Sequence, residues 1–182
     1  IIHIYPQNMD FQEWAKAGYF QDMTGKDYLK RIKNNYAEKY AINGKIYNVP
    51  LNANVSGIYY NKTKFKELGL EEPKTFEEFQ EITKKIKDSG TSPFAVAGTE
   101  GWTLNGYHQL SFITTTGSGD KANDYLRFSK PNAIKATDPT LKEDAKKMDL
   151  LAENAQNGWR GASYNDAVVA FANGKALMMP QG

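Results

Sequence analysis

The sequence predicts an α/β fold with a largely parallel sheet. Three observations carry this. Short apolar runs alternate with stretches of helical spacing, the helical stretches open on capping residues, and the run 43–61 breaks an extended segment into a crossover. The opening residues Ile1, Ile2, Ile4 and Tyr5 form the first strand-like run. Behind it, Asp10 and Glu13 stand at capping-box spacing. Phe11, Trp14, Ala15 and Ala17 make the apolar face of a helix that Gly18 ends, which places Trp14 in the core. Asp27 is expected to cap a second helix, with Leu29, Ile32 and Tyr36 on one stripe.

Asn43-Gly44 follows. This pair suits a two-residue hairpin turn in which both central residues take positive φ, and Ile42, Ile46 and Tyr47 flank it with apolar bulk. Beyond the turn, residues 49–51 and 55–60 read as extended, but Pro50, Asn52 and Asn54 do not suit a continuous central ladder, so the segment reads as a crossover. Residues 62–68 make a short helix stopped by Gly69. Thr75 caps a longer one with Phe76, Phe79, Ile82 and Ile86 at helical spacing. Phe94, Ala95, Val96 and Ala97 read as a buried strand. A loop holding Trp102 leads to a helix over 104–115. Asp138-Pro139 starts another, with Leu141, Ala145, Met148 and Ala152 on its inner face and its end near Asn157-Gly158. Residues 177–179 are a last apolar strand.

Composition excludes several function classes. There is no cysteine, and His3 and His108 are the only histidines, so neither thiolate nor histidine spacing offers a metal site. The 23 basic and 21 acidic residues are interspersed, which leaves no nucleic-acid footprint. No apolar stretch approaches the span of a bilayer. The glycines of 117–121 lack the spacing and the closing Ser/Thr of a phosphate loop, and read as a loop. No nucleophile elbow accompanies the serines. The carboxylates Glu77, Glu78 and Asp144 sit beside lysines on helices, where a solvated face is expected.

The run NGKIYNVPLNANVSGIYYN at 43–61, followed by KTKFKELGL, resembles the hinge signature of bacterial ABC-importer solute-binding proteins, extracellular family one, which bind sugars. Two further matches stand in the family's order. Residues 72–79 resemble its Pro-x-Thr-Trp-x-Glu helix start, with Phe76 where Trp is usual, and YNDAVVAFANGKALMMPQG at 164–182 resembles its return segment. Among members the chain is most similar to Gram-positive oligosaccharide binders of the raffinose or multiple-sugar type. The resemblance implies a periplasmic-binding-protein-like fold of type II, two lobes joined by hinge crossovers, with the first lobe incomplete. Residues 1–53 fall in the N-terminal lobe, 54–175 in the C-terminal lobe, and 176–182 form the return strand to the first. The return segment is expected to run beside residues 49–55. A family member is more than twice this long, so the chain reads as an internal fragment whose signal segment lies outside it.

What the resemblance implies about function is capture of an oligosaccharide between lobes, hinge closure, and delivery to the membrane subunits of an ABC permease. It implies a monomer outside the membrane, as a cell-surface lipoprotein or in the periplasm, with no reaction and no cofactor. The rivals are a carbohydrate hydrolase or other α/β enzyme, and a scaffold without small-ligand binding. Sugar recognition needs aromatic faces against pyranose rings and planar amides against paired hydroxyls, placed in loops that follow strands. Gln7 and Asn8 follow the first strand and serve equally as a polar turn into the Asp10 cap. Asn52 and Asn54 flank the small Ala53 in the crossover. Gln181 follows the last strand. Tyr164 and Asn165 open the return segment, where Asn165 or Asp166 stands as readily for a helix cap as for a sugar contact. Trp102, between Gly101 and Thr103, is the leading stacking residue, with a core role as the alternative. Trp159 lies in a similar loop, to stack or to seal the lobe edge.

Overall fold

A computed structural model describes residues 1–6, 8–126 and 134–181, which fall into two units, Ile1–Asn54 and Val55–Gly182.

The first unit is built from short elements. Helix α1 (Met9–Lys16) is capped by Asn8, whose side chain accepts from Asp10 N, so the cap is two residues earlier than the Asp10 box predicts. With two turns it buries only Phe11 and Ala15. Trp14 is 43% exposed and meets Phe20 edge-on, against its expected core position. Residues 1–5 form no strand, since no ladder partner faces them among the described residues. Asp27 opens a 3-10 helix (Asp27–Arg31) without capping it and pairs instead with Lys30. After α2 (Tyr36–Lys39) the Asn43-Gly44 turn forms as expected, with φ of 52° and 75° and reciprocal bonds between Ile42 and Lys45. Leu29, Ala37 and Ile46 make this unit's small core.

The second unit carries the sheet. Its elements are β1 (Gly57–Tyr60), α3 (Lys62–Glu67), α4 (Phe76–Asp88), β2 (Ser92–Phe94), α5 (Gly101–Thr116), α6 (Gly119–Leu126), α7 (Pro139–Glu153), α8 (Tyr164–Ala172) and β3 (Ala176–Gln181). The strand order is β1-β3-β2. β3 runs parallel to β2, with Phe94 opposite Met178, and antiparallel to β1, with Gly57 opposite Gln181. The sheet is therefore mixed, not largely parallel. Residues 176–181, assigned by sequence to the first lobe, are its central strand, and Ala176 to Pro180 are all buried as a strand covered on both faces requires. The neighbours of the return segment lie at 57–61, where Asn61 N bonds Leu177 O, later than the expected 49–55. Pro50 and the asparagines around it are unsuited to a ladder, and pairing begins once they are passed.

The caps at Thr75 and Asp138 form as the sequence predicts, Thr75 in a full capping box and Asp138 accepting from Thr140 N ahead of Pro139. Gly69 ends the α3 turn at φ 63°. Two side-chain clusters sandwich the sheet. Phe94 and Val96 point into a large one with Ile82, Ile86, Tyr107 and Leu151 from α4, α5 and α7. Ala95 and Ala97 point the other way, onto Ala167, Ala176 and Met179, with Val168 and Phe171 of α8 against them. Complete burial of a side chain such as Phe94 is worth about 1.5–3 kcal/mol.

The sequence misplaces the inner face of α7. The residues buried are Asp144, Lys147 and Leu151, with Asn154 just beyond, so the helix is turned to bring polar groups inward. Asn154 is met by Lys87 Nζ and Leu150 O, and Asp144 and Lys147 turn to α5, although Asp144 Oδ1 finds no partner among the described residues. Asp144 Oδ2 lies 2.9 Å from His108 Nε2, Lys147 Nζ donates to Thr114 and Thr115 hydroxyls at 2.9 and 2.8 Å, and Tyr107 OH donates to Lys147 O at 3.0 Å. Asp144 and Lys147 are thus structural, not a solvated face.

Candidate functional site

Beyond β2, residues 95–97 continue as buried extended backbone, with Ala95 N donating to Met178 O. Their other edge is closed by 154–156. Phe94 pairs with Ala155, and the Gln156 side chain donates to Val96 O and accepts from Val96 N at 2.7 and 2.8 Å, so an amide stands in for a strand. At the carboxyl ends of these two parallel segments lies a small hollow of about 10 Å³, room for a single water, lined by Ala97, Thr103, Leu104, Tyr164, Pro180 and Gln181 among others. It lies at the strand ends, where open α/β sheets gather ligands, and a sugar would rest over it and not within it.

Two sequence-predicted residues, Tyr164 and Gln181, line this hollow, and a third, Trp102, packs against Tyr164. Trp102 is not in a loop: α5 begins at Gly101, and Trp102 sits in its first turn, 57% exposed. Its ring lies 5.1 Å from that of Tyr164 at the start of α8, inclined by 51°. Gln181, at the end of β3, lines the same hollow as Tyr164. An exposed indole against a phenol beside a planar amide is a surface suited to a ring with an apolar face and hydroxyl edges.

The other predicted residues lie elsewhere. Trp159 opens a 3-10 turn (Trp159–Gly161) and packs against the large core cluster, with the Arg160 guanidinium 4.7 Å from its ring centroid. Asn165 is exposed in the first turn of α8. The cap of that helix is Ser163, in a capping box with Asp166, and the Ser163 hydroxyl and N–H hold the Asp166 carboxyl below its ordinary range. Asn52 and Asn54 are exposed at the end of the first unit, Asn8 is occupied as the α1 cap, and Gln7 lies outside the described residues.

Sequence reasoning missed what holds the ring pair. Glu100 Oε2 accepts from Tyr164 N at 2.9 Å and from the Thr99 hydroxyl at 2.7 Å, so it serves an orphan N–H at the start of α8. The Thr103 hydroxyl reaches both Ala97 O and Glu100 O at 2.7 Å. Gly98 N and Thr99 N both donate to Ala162 O. A Cβ on Gly98 would stand 2.6 Å from Arg160 Cα, so only glycine admits this approach of two backbones. The one available signal is a glycine with no turn to explain it, three residues before another. Among the described residues no group of three His, Asp or Glu side chains is placed to hold a metal ion.

The sequence pattern of the family described as bacterial extracellular solute-binding protein matches residues 1–182. A multiple sugar-binding protein of Streptococcus mutans is 65% identical over 184 residues, covering 100% of this chain and 44% of that protein. The ligand-free structure of RafE from Streptococcus pneumoniae is 58% identical with a TM-score of 0.85, covering 98% of this chain and 46% of that one. A structure of RafE in complex with raffinose gives a TM-score of 0.88 at 58% identity, covering 98% and 47%. The chain thus spans about half the length of these relatives. The family and these relatives are binding proteins rather than enzymes, and the neighbouring structures share the type II solute-binding fold.

Proposed function

The chain belongs to the bacterial extracellular solute-binding protein family, and from that premise we propose that it is part of the sugar-capturing component of an ABC importer, with an oligosaccharide of the raffinose class as ligand. The observation that carries this reading is the exposed Trp102 ring set against Tyr164 at the strand ends, with Gln181 lining the adjoining hollow. Its support from outside the chain is the 58% identity to a protein whose structure holds raffinose. On this reading the rings cover the apolar face of one sugar unit and Gln181 engages its hydroxyls. Gln7, Asn8, Asn52 and Asn54 supply further polar contacts, residues 1–53 forming part of the first lobe and 54–175 most of the second. Closure of the two lobes retains the sugar until a monomeric binding protein, held at the cell surface as a lipoprotein or free in the periplasm, passes it to the permease subunits. The proposal includes no reaction and no cofactor.

The test is titration of the full-length protein with raffinose, followed by recovery of the sugar. Capture predicts saturable binding, a melting temperature that rises with sugar by mass action, and raffinose returned unchanged. Monosaccharide products accumulating in proportion to protein concentration would establish a hydrolase instead. As a check on the crossover, Asn54→Ala is expected to cost about 1–3 kcal/mol of affinity by leaving buried hydroxyls unpaired. Unchanged affinity there removes Asn54 from the site and leaves the capture reading intact.

A further inference from the structure

We propose that Glu100 is a positioning residue that fixes the angle and spacing of the Trp102–Tyr164 pair, and through it the affinity for sugar. The inference rests on the sugar-capture reading and names a device inside it. Trp102 and Tyr164 start different helices and stand 62 residues apart in the chain, so nothing local keeps their rings together. What joins the two helix starts is a short stitched seam. Gly98 lies against the backbone of Trp159 and Arg160, Gly98 N and Thr99 N share Ala162 O, and Glu100 closes the end nearest the rings through Tyr164 N.

Glu100 is well placed for this task. It is the residue before α5, yet its side chain makes no capping bond to its own helix; it reaches across to α8 instead. A carboxylate at the first N–H of α8 is favoured by the partial positive charge of that helix end. Two residues before Trp102, its Oε2 accepts from the backbone N–H of Tyr164 itself. Thr103 ties the Glu100 carbonyl back to Ala97, so the pivot between Glu100 and Trp102 is itself held. With Glu100 shortened, the start of α8 loses its partner and the phenol is free to turn away from the indole. An aromatic floor that must be reassembled on binding costs affinity that a preset one does not.

The experiment uses the full-length protein with Glu100→Ala, Glu100→Gln, Glu100→Asp, Trp102→Ala and the double variant Glu100→Ala/Trp102→Ala. Without ligand, the near-ultraviolet circular dichroism of the ring pair is the difference between the wild type and Trp102→Ala. That difference is expected to vanish in Glu100→Ala and to survive in Glu100→Gln, whose amide oxygen still accepts from Tyr164 N. Glu100→Asp, too short to reach, is expected to lose it too and serves if the alanine variant does not fold. Persistence of the pair signal in the shortened variants overturns the proposal. With raffinose as probe, Glu100→Ala is expected to bind about tenfold more weakly, the scale of one bond to a charged group, and to have no effect in the Trp102→Ala background. An equal loss in that background would mean that Glu100 touches the sugar directly, and would overturn the positioning role. Absence of raffinose binding in the wild type removes the capture reading, while the ligand-free spectra still decide the positioning claim.

Discussion

Helix α5 carries two polar assemblies that look alike in sequence and differ in what they leave open. Along its length, Tyr107, His108, Thr114 and Thr115 face α7 and bond to Asp144, Lys147 and the Lys147 carbonyl. At its first turn, Trp102 faces outward with Tyr164 as neighbour, and the polar groups around it mostly hold backbone, the Thr99–Glu100 pair apart. The seam with α7 spends most of its hydrogen-bonding capacity within the protein, and Tyr107, Asp144 and Lys147 in it are buried. The helix start keeps an aromatic face exposed. Groups already satisfied by the fold specify structure, and those held rigid but left unsatisfied are the ones able to recognise something else.

If that division is right, changes along the seam alter stability without altering sugar affinity. The largest effect is expected for Phe112→Ala, which removes a ring 2% exposed and packed edge-on against His108. Its cost should be about 3–5 kcal/mol by denaturant titration, with affinity kept in the folded fraction. Asp144→Ala removes the carboxylate that binds His108 and should cost about 1–3 kcal/mol, again without a change in affinity. A fall in affinity matching either loss would show that the seam and the helix start are one coupled unit.

Tyr107→Phe sharpens the comparison by pH. It deletes one hydroxyl bond and should cost about 1 kcal/mol at neutral pH. Burial first, and the Asp144 charge second, push the Tyr107 phenol well above its ordinary value of 10. Above pH 10 the unfolded phenol ionises while the folded one keeps its proton, so the unfolded state binds fewer protons and wild-type stability falls as pH rises. The gap between wild type and Tyr107→Phe should therefore close above pH 10. A gap that stays constant to pH 11 would mean that the hydroxyl is not sequestered.

Much of the second unit was legible because its elements follow local rules. Thr75 with Glu78, and Asp138 with Pro139, mark helix starts through groups a few residues away, and in the first unit Asn43-Gly44 fixes its turn by backbone preference alone. The failures share a cause. Trp14 reads as core because its spacing is right, but a two-turn helix offers too little face to cover it. The inner face of α7 was misread because Asp144 and Lys147 are buried only by virtue of partners on α5, some 30 residues away and unmarked by any spacing. In the same way Trp102, Tyr164 and Gln181 could each be chosen as candidates on residue type and position, but Glu100 could not, since its role exists only once α8 is beside it. The mixed sheet likewise follows from which strand β3 meets, a fact of topology and not of pattern.

The central claim is that the first turn of α5 is a recognition surface and not part of the core, and Trp102→Ala in the full-length protein tests it most directly. Raffinose affinity by calorimetry and melting temperature should be measured on the same preparation. The account predicts an affinity loss of about 1 kcal/mol or more with the melting temperature nearly unmoved, because the ring is more than half exposed at 57% and little of it is removed from water. A large drop in melting temperature with unchanged affinity in the folded fraction would contradict the account and return Trp102 to the core.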